Sequence, residues 1–291
     1  MTPTAIPELT REPVKRPVMT QVWTDVLFLH WRYDPAVVRA LLPANVEVDT
    51  FDGSAWVGLV PFQMERIAFG PFPPIPLLGT FPEVNVRTYV RAGSRRGVWF
   101  FSLDIDRLLP AVAARVGYRL PYCTGEVIHE RSGDQISTRV QRQWPQPAWP
   151  AATTIRATIG APVTADPLTE FLTSRWGLVT SGRGDRLRYA PVDHPNWPLH
   201  SASADHVSDR LIVAAGLPEP VGEPVGLYSP GVPVRVGLPR QIARGQRSRG
   251  QGLRSLPSGR RLQQVKAECS LAFGSKGPLR VRDRTVETLR S

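Results

Sequence analysis

Lysine is almost missing from this 291-residue sequence: Lys15, Lys266 and Lys276 stand against 33 arginines. None falls between Arg16 and Val265, so covalent catalysis by an internal lysine amine is excluded across that stretch. Cysteine is scarcer still. Cys123 and Cys269 lie far apart with no CxxC pair, which leaves neither a disulfide framework nor a zinc knuckle. No apolar run approaches the roughly 18 residues of a membrane span, and the N-terminal stretch holds no apolar core of signal-peptide length. A soluble, cytoplasmic protein with no membrane partner is the expectation. GxGxxG, P-loop and GxSxG motifs are also missing, and the cofactor expectation is none.

Acidic residues are in short supply only locally. The whole chain carries +11, but residues 240–291 hold 13 Lys+Arg and 3 Asp+Glu, whereas residues 1–239 hold 23 and 22. The body is electrically balanced, so the basicity speaks for the tail alone. That tail is rich in Arg, Gly and Ser, with Phe273 as its single aromatic. It offers nucleic acid a non-specific attraction without the interleaved rings that stack bases. Its abrupt change of composition fits a solvated, disordered segment or a terminus shifted out of its reading frame.

What the sequence does have is 42% hydrophobic content, enough for a core, arranged in short β-rich runs between turn residues. Residues 1–18 read as a flexible arm, 19–239 as a single domain and 240–291 as the tail. Val22–Trp31 reads as a strand. Asp34-Pro35 opens a short helix that Pro43 stops. Strands follow at 46–51 and 55–64, joined through Asp52-Gly53. An apolar, proline-stiffened loop at 69–79 suits a lid or an oligomer contact. Strands 84–91 and 98–104, a helix 106–116 ending at Gly117, and a polar-faced hairpin 126–131/136–143 come next. Trp144–Ala152 reads as loop, 153–160 as strand, 169–176 as helix and 178–191 as a hairpin. Ala204–Ala215 reads as partly helical, and Pro224–Val236 as a last strand pair. The fold class is mainly β with a few short helices (α+β), built on a barrel or cone.

One strand carries a polar pattern of its own. Glu83, Asn85 and Arg87 occupy alternate positions and so share one face, with Val84, Val86 and Thr88 on the other. On a solvent face the trio is ordinary. Facing a barrel interior, a carboxyl, an amide and a guanidinium must find partners or ligands, and they form a candidate acid–base and anion-orienting group. His30, in the LFLHW run, reads either as a satisfied core histidine or as a ligand contact. Cys123 reads as an inert buried thiol. His194 and His200, with Asp193 and Asp205, fit no standard zinc spacing, so no metal site is expected. Trp197 sits in a Pro/Trp-rich loop suited to closing a pocket or covering a sheet edge.

Two segments resemble the acetoacetate decarboxylase-like superfamily. Arg32-Tyr-Asp34 through Arg39, Pro43, Glu47 and Asp49 is similar to its R-x-D-x-x-x-x-R-x-x-x-P-x-x-x-E-x-D element. The run from Glu83 through Leu103-Asp104 to Gly117–Tyr122 is similar to its carboxylate strand and aromatic-Pro-Lys-Lys corner. The phrases HWRYDP, FDGSAWVGLVPF, FPEVNVRTYV and GYRLPY resemble the DUF2071 (YqjF-like) branch. The resemblance implies a β-cone with an internal apolar pocket, often in a homo-oligomer. It places Glu83 on the family's active-site glutamate. Pro121 keeps the corner proline, but Tyr122 and Cys123 stand where the decarboxylases have their lysine pair. The family's substrate-orienting arginine falls near Thr24 and is absent. The expectation is therefore a small-molecule pocket with no Schiff base. Glu83, Tyr122 and Arg87 are its candidate catalytic residues, and His30, Asn85, Tyr89, Arg119 and Trp197 its candidate substrate contacts. Lysine-independent acid–base chemistry and non-catalytic binding or sensing both remain open.

Overall fold

A computed structural model of the chain describes residues 11–74, 80–107, 119–145, 151–182 and 186–242. Residues 108–116 of the expected helix at 106–116 and most of the tail lie outside these residues, as do parts of the arm and of the loops at 69–79, 144–152 and 182–185. Among the described residues the elements run in the order β1 (Met19–Tyr33), α1 (Pro35–Ala40), β2 (Glu47–Val48), β3 (Ala55–Phe69), β4 (Phe81–Ala92) and β5 (Arg95–Ile105). Then come β6 (Tyr122–Ser132), β7 (Gln135–Trp144), β8 (Ala152–Pro162), α2 (Pro167–Thr173), β9 (Gly177–Ser181) and β10 (Leu187–Asp193). The last are β11 (His200–Asp209), α3 (Leu211–Ala214), β12 (Val225–Val236) and β13 (Arg240–Gln241).

The short helices form where side chains satisfy their free ends. Asp34 accepts from the Ala36 amide at 2.7 Å, Pro35 supplies the first turn, and Arg39 donates to the carbonyls of Leu42 and Ala44 beyond the last turn. The R-x-D…R pattern is thus partly a capping device. Asp166 caps α2 in the same way through the Thr169 amide.

Strands β5-β6-β7-β8-β11-β12-β1-β3-β4 close into a nine-stranded barrel. Strands β9 and β10 make a second connection, from β5 across to β12. The five strands β12-β1-β3-β4-β5 therefore form a wall buried on both faces. On the barrel side Val84, Val86 and Val90 join Leu27, Leu29, Val127, Ile136 and Ile155. On the β9–β10 side Val26, Phe28, Val60, Phe62, Leu103 and Ile105 join Leu178, Val192 and Val234. This double burial explains why β3 opens as a continuous apolar run, Ala55–Phe62, and it makes the polar residues of β4 the exception on the wall.

Three expectations are corrected. Residues 204–209 belong to strand β11, not to a helix. Pairing with β8 along its length overrides local propensity, and helix begins only where Asp209 accepts from the amides of Leu211 and Ile212. Residues 225–236 are one continuous strand, not two. Pro230-Gly231 reads as a turn, but pairing with β1 keeps one register throughout, and Gly231, at φ +129, is pressed on Trp23, where a Cβ would lie 2.1 Å from that residue's carbonyl oxygen. Pro230 and Pro233 lie where only β1 pairs with β12, so their missing N–H groups break no second ladder. The expected strand 46–51 shrinks to Glu47–Val48, with a Phe51–Ser54 bridge beyond it.

Candidate functional site

The alternation in β4 brings Glu83, Asn85, Arg87 and Tyr89 onto the wall face toward β9–β10, all buried. The solvent-face reading of the trio is thereby excluded. Cross-strand register puts Phe62 beside Glu83, Val60 beside Asn85 and Gly58 beside Arg87. Gly58 also pairs with His30 on β1. The glycine makes room for this row: a Cβ there would lie 2.6 Å from His30 Nε2.

Glu83 is 2% exposed. Tyr122, at the start of β6 and paired with Leu103, donates its hydroxyl to Glu83 Oε2 at 3.1 Å, and the Asn85 side chain bonds the same carboxyl. Among the described residues no guanidinium or ammonium pairs with Glu83. Burial therefore dominates and pushes its pKa up from 4.5 to about 8, against the two hydrogen bonds and with help from the Asp104 charge. Burial and the Glu83 charge likewise hold the Tyr122 hydroxyl well above its usual pKa. At neutral pH the pair is a neutral carboxylic acid beside a neutral phenol.

A second network centres on the Tyr89 hydroxyl. It donates to the Leu172 carbonyl of α2 and accepts from Arg87 Nη2 at 3.4 Å. Its single proton being used, the 2.6 Å bond to His30 has Nε2–H as the donor. That tautomer leaves His30 Nδ1 as a buried acceptor with no protein partner. Burial first, and then Arg87 and Arg175, hold the imidazole well below its usual pKa and so neutral. Arg87 Nη2 also reaches the Leu172 carbonyl at 3.3 Å, and the guanidinium lies 5.4 Å from the Phe28 ring centre. Arg87 Nε and Asn85 Oδ1 are likewise buried without partners. One donor and two acceptors are thus left open on one buried face.

Trp197 stacks on Trp23 at 6.0 Å and meets Phe28 edge-on at 5.2 Å, while its indole donates to the Thr173 carbonyl at 3.0 Å. It therefore closes the same face. Trp23, which sequence reasoning passed over, contributes a further buried, unpartnered indole N–H beside Phe62. Arg119 is a correction: it is exposed, at φ +56, and among the described residues no contact joins it to the Glu83 group. The histidine–aspartate loop does not converge either. Asp193 pairs with Arg11, Asp205 accepts from Thr158, and the two histidines bond backbone carbonyls. Among the described residues no group of three His, Cys, Asp or Glu is placed to hold a metal ion, and no helix is long and apolar enough to cross a membrane. Of the residues that sequence reasoning missed, Gly58 had a signal: a glycine inside an apolar strand marks close approach.

Residues 20–233 match the family DUF2071, described as an uncharacterized conserved protein. The chain is 36% identical over 214 residues to the uncharacterized protein YqjF of Bacillus subtilis (strain 168), covering 73% of this chain and 87% of that one. Among solved structures, the enduracididine biosynthesis enzyme MppR complexed with pyruvate matches with TM-score 0.56 at 15% identity, over 80% of this chain and 93% of MppR. An acetoacetate decarboxylase-like enzyme from Sphingomonas wittichii RW1 matches with TM-score 0.56 at 16% identity, over 84% and 98%. The chain belongs to the DUF2071 family, on an acetoacetate decarboxylase-like fold.

Proposed function

We propose that the Glu83 face binds a small carbonyl or carboxylate compound and performs proton transfer on it without a covalent lysine intermediate. The observation that carries this reading is a buried glutamic acid, without a cationic partner, bonded to Tyr122 and sharing its face with the unpaired Nε of Arg87. At neutral pH Glu83 holds a proton that it can give to a carbonyl oxygen. The Tyr122 hydroxyl then donates to the carboxylate so formed, and Asn85 steadies the same group. Above about pH 8 the carboxyl is ionised and becomes a base. Arg87 supplies the positive charge for a substrate carboxylate. Support by analogy comes from MppR, whose structure holds the keto acid pyruvate on this fold. A binding or sensing role without turnover is the second reading. The ties of Arg87 and Tyr89 to the Leu172 carbonyl favour it, because they anchor the site rigidly to α2.

A panel of short keto acids and lactones, followed for consumption and for thermal stabilisation, separates the two. Catalysis requires turnover by the parent chain and a loss of about 100-fold or more in Glu83→Gln. Stabilisation without consumption assigns the site to binding. Neither turnover nor stabilisation across the panel would overturn the proposal.

A further inference from the structure

A second concentration of charge sits where β4 turns into β5, and the Glu83 group does not use it. Arg91 and Arg96 are direct cross-strand partners there, an arrangement in which like charges repel. A third guanidinium, Arg175, arrives from the segment after α2. Its Nη1 donates to Asp49 Oδ2 at 2.7 Å, while Arg96 Nη2 and Arg91 Nε lie 3.3 and 3.9 Å from Asp49 Oδ1. Arg91 also reaches the exposed Glu47 at 3.5 Å. Three guanidiniums thus face two carboxylates, Asp49 and Glu47, an excess of one positive charge.

Part of this is a staple. Arg175 Nε holds the Phe171 carbonyl and its plane lies 4.2 Å from the Phe171 ring centre, fixing α2 to the wall. The staple leaves Arg175 Nη2 buried without a partner, and it has no use for Arg96, whose Nη1 is also buried and unpartnered. Trp56, packed with Tyr89 and Phe171, adds a third such donor. A buried donor without an acceptor costs about 1–3 kcal/mol, and more on a charged group. The cluster is not sealed: the Arg96 and Arg91 side chains are 23% and 48% exposed, so an ion can enter from solvent.

We infer that the Asp49–Arg96–Arg175 cluster is an oxyanion site of the phosphate class, in which Asp49 orients two guanidiniums and the anion takes the N–H groups that Asp49 leaves open. A tetrahedral oxyanion answers the net positive charge and supplies more acceptors than a carboxylate to the open N–H groups. Inorganic phosphate and the phosphoryl group of a small metabolite present that same chemistry.

Calorimetry and thermal shift on the full chain, at constant ionic strength, test this with inorganic phosphate, glycerol 3-phosphate and chloride. Both phosphate compounds should bind saturably and chloride should not; the tighter of the two names the source of the group. Arg96→Gln should weaken binding about tenfold, the share of one charge-assisted hydrogen bond. Glu47→Gln, at an exposed position, should tighten binding. Absence of saturable binding overturns the site. So does an affinity unchanged in Arg96→Gln, or, if that variant fails to fold, Glu47→Gln binding no tighter than the parent.

Discussion

Two carboxyl groups are buried on opposite faces of the same wall, Glu83 on β4 and Asp104 on β5, at 2% and 1% exposure. Asp104 receives a bidentate pair from Arg142, Nε to Oδ1 at 2.6 Å and Nη2 to Oδ2 at 2.8 Å, with Ser102 donating at 3.0 Å. Burial works against the Arg142 charge, yet the hydrogen bonds and charge of Asp104 hold its pKa above the usual arginine value. Glu83 has a phenol and an amide instead. Burial alone therefore decides the form a carboxyl takes only when no cation is at hand. With one it forms an ion pair that ties β5 to β7; without one, burial pushes its pKa up.

The largest effect should come from breaking the ionic side. Asp104→Asn leaves Arg142 buried beside a neutral partner and should cost about 3–5 kcal/mol in chemical denaturation. The same change of acid to amide at Glu83 should act in the opposite direction. In the unfolded chain Glu83 ionises near 4.5, whereas in the folded chain it keeps its proton to about 8. The folded state then holds the extra proton between these values, and the parent loses stability as pH rises through that window, with no further loss above it. Glu83→Gln should match the parent at pH 4 and exceed it by a few kcal/mol, on the order expected from linkage, at pH 8. A loss of stability in that variant at pH 8 would place Glu83 with Asp104. The smallest effect should follow Tyr122→Phe. It removes one hydrogen bond, about 1 kcal/mol, and moves the Glu83 pKa further upward, which carboxyl titration in the variant would register.

Much of this comparison was legible before folding. Alternation in PEVNVRTYV put Glu83, Asn85, Arg87 and Tyr89 on one face, because a strand's period is fixed by backbone geometry. The sequence could not say that both faces of that strand are buried, since this depends on β9 and β10 crossing over from distant positions. The Asp49–Arg175 pair, 126 residues apart, was hidden for the same reason. Arg119 misled because its proximity to Pro121 and Tyr122 in sequence says nothing of side-chain direction at a left-handed backbone position. Of residues 204–215, expected to be partly helical, only 211–214 are helix, because pairing with β8 outweighed local preference over 204–209.

The account turns on the state of one carboxyl, and its titration can be observed directly. With glutamate side-chain carboxyls labelled with carbon-13 and resonances assigned through Glu83→Gln, the Glu83 signal should keep its protonated shift through neutrality and titrate at about 8. A Glu83 signal that titrates near 4.5, with the other glutamates, would contradict it.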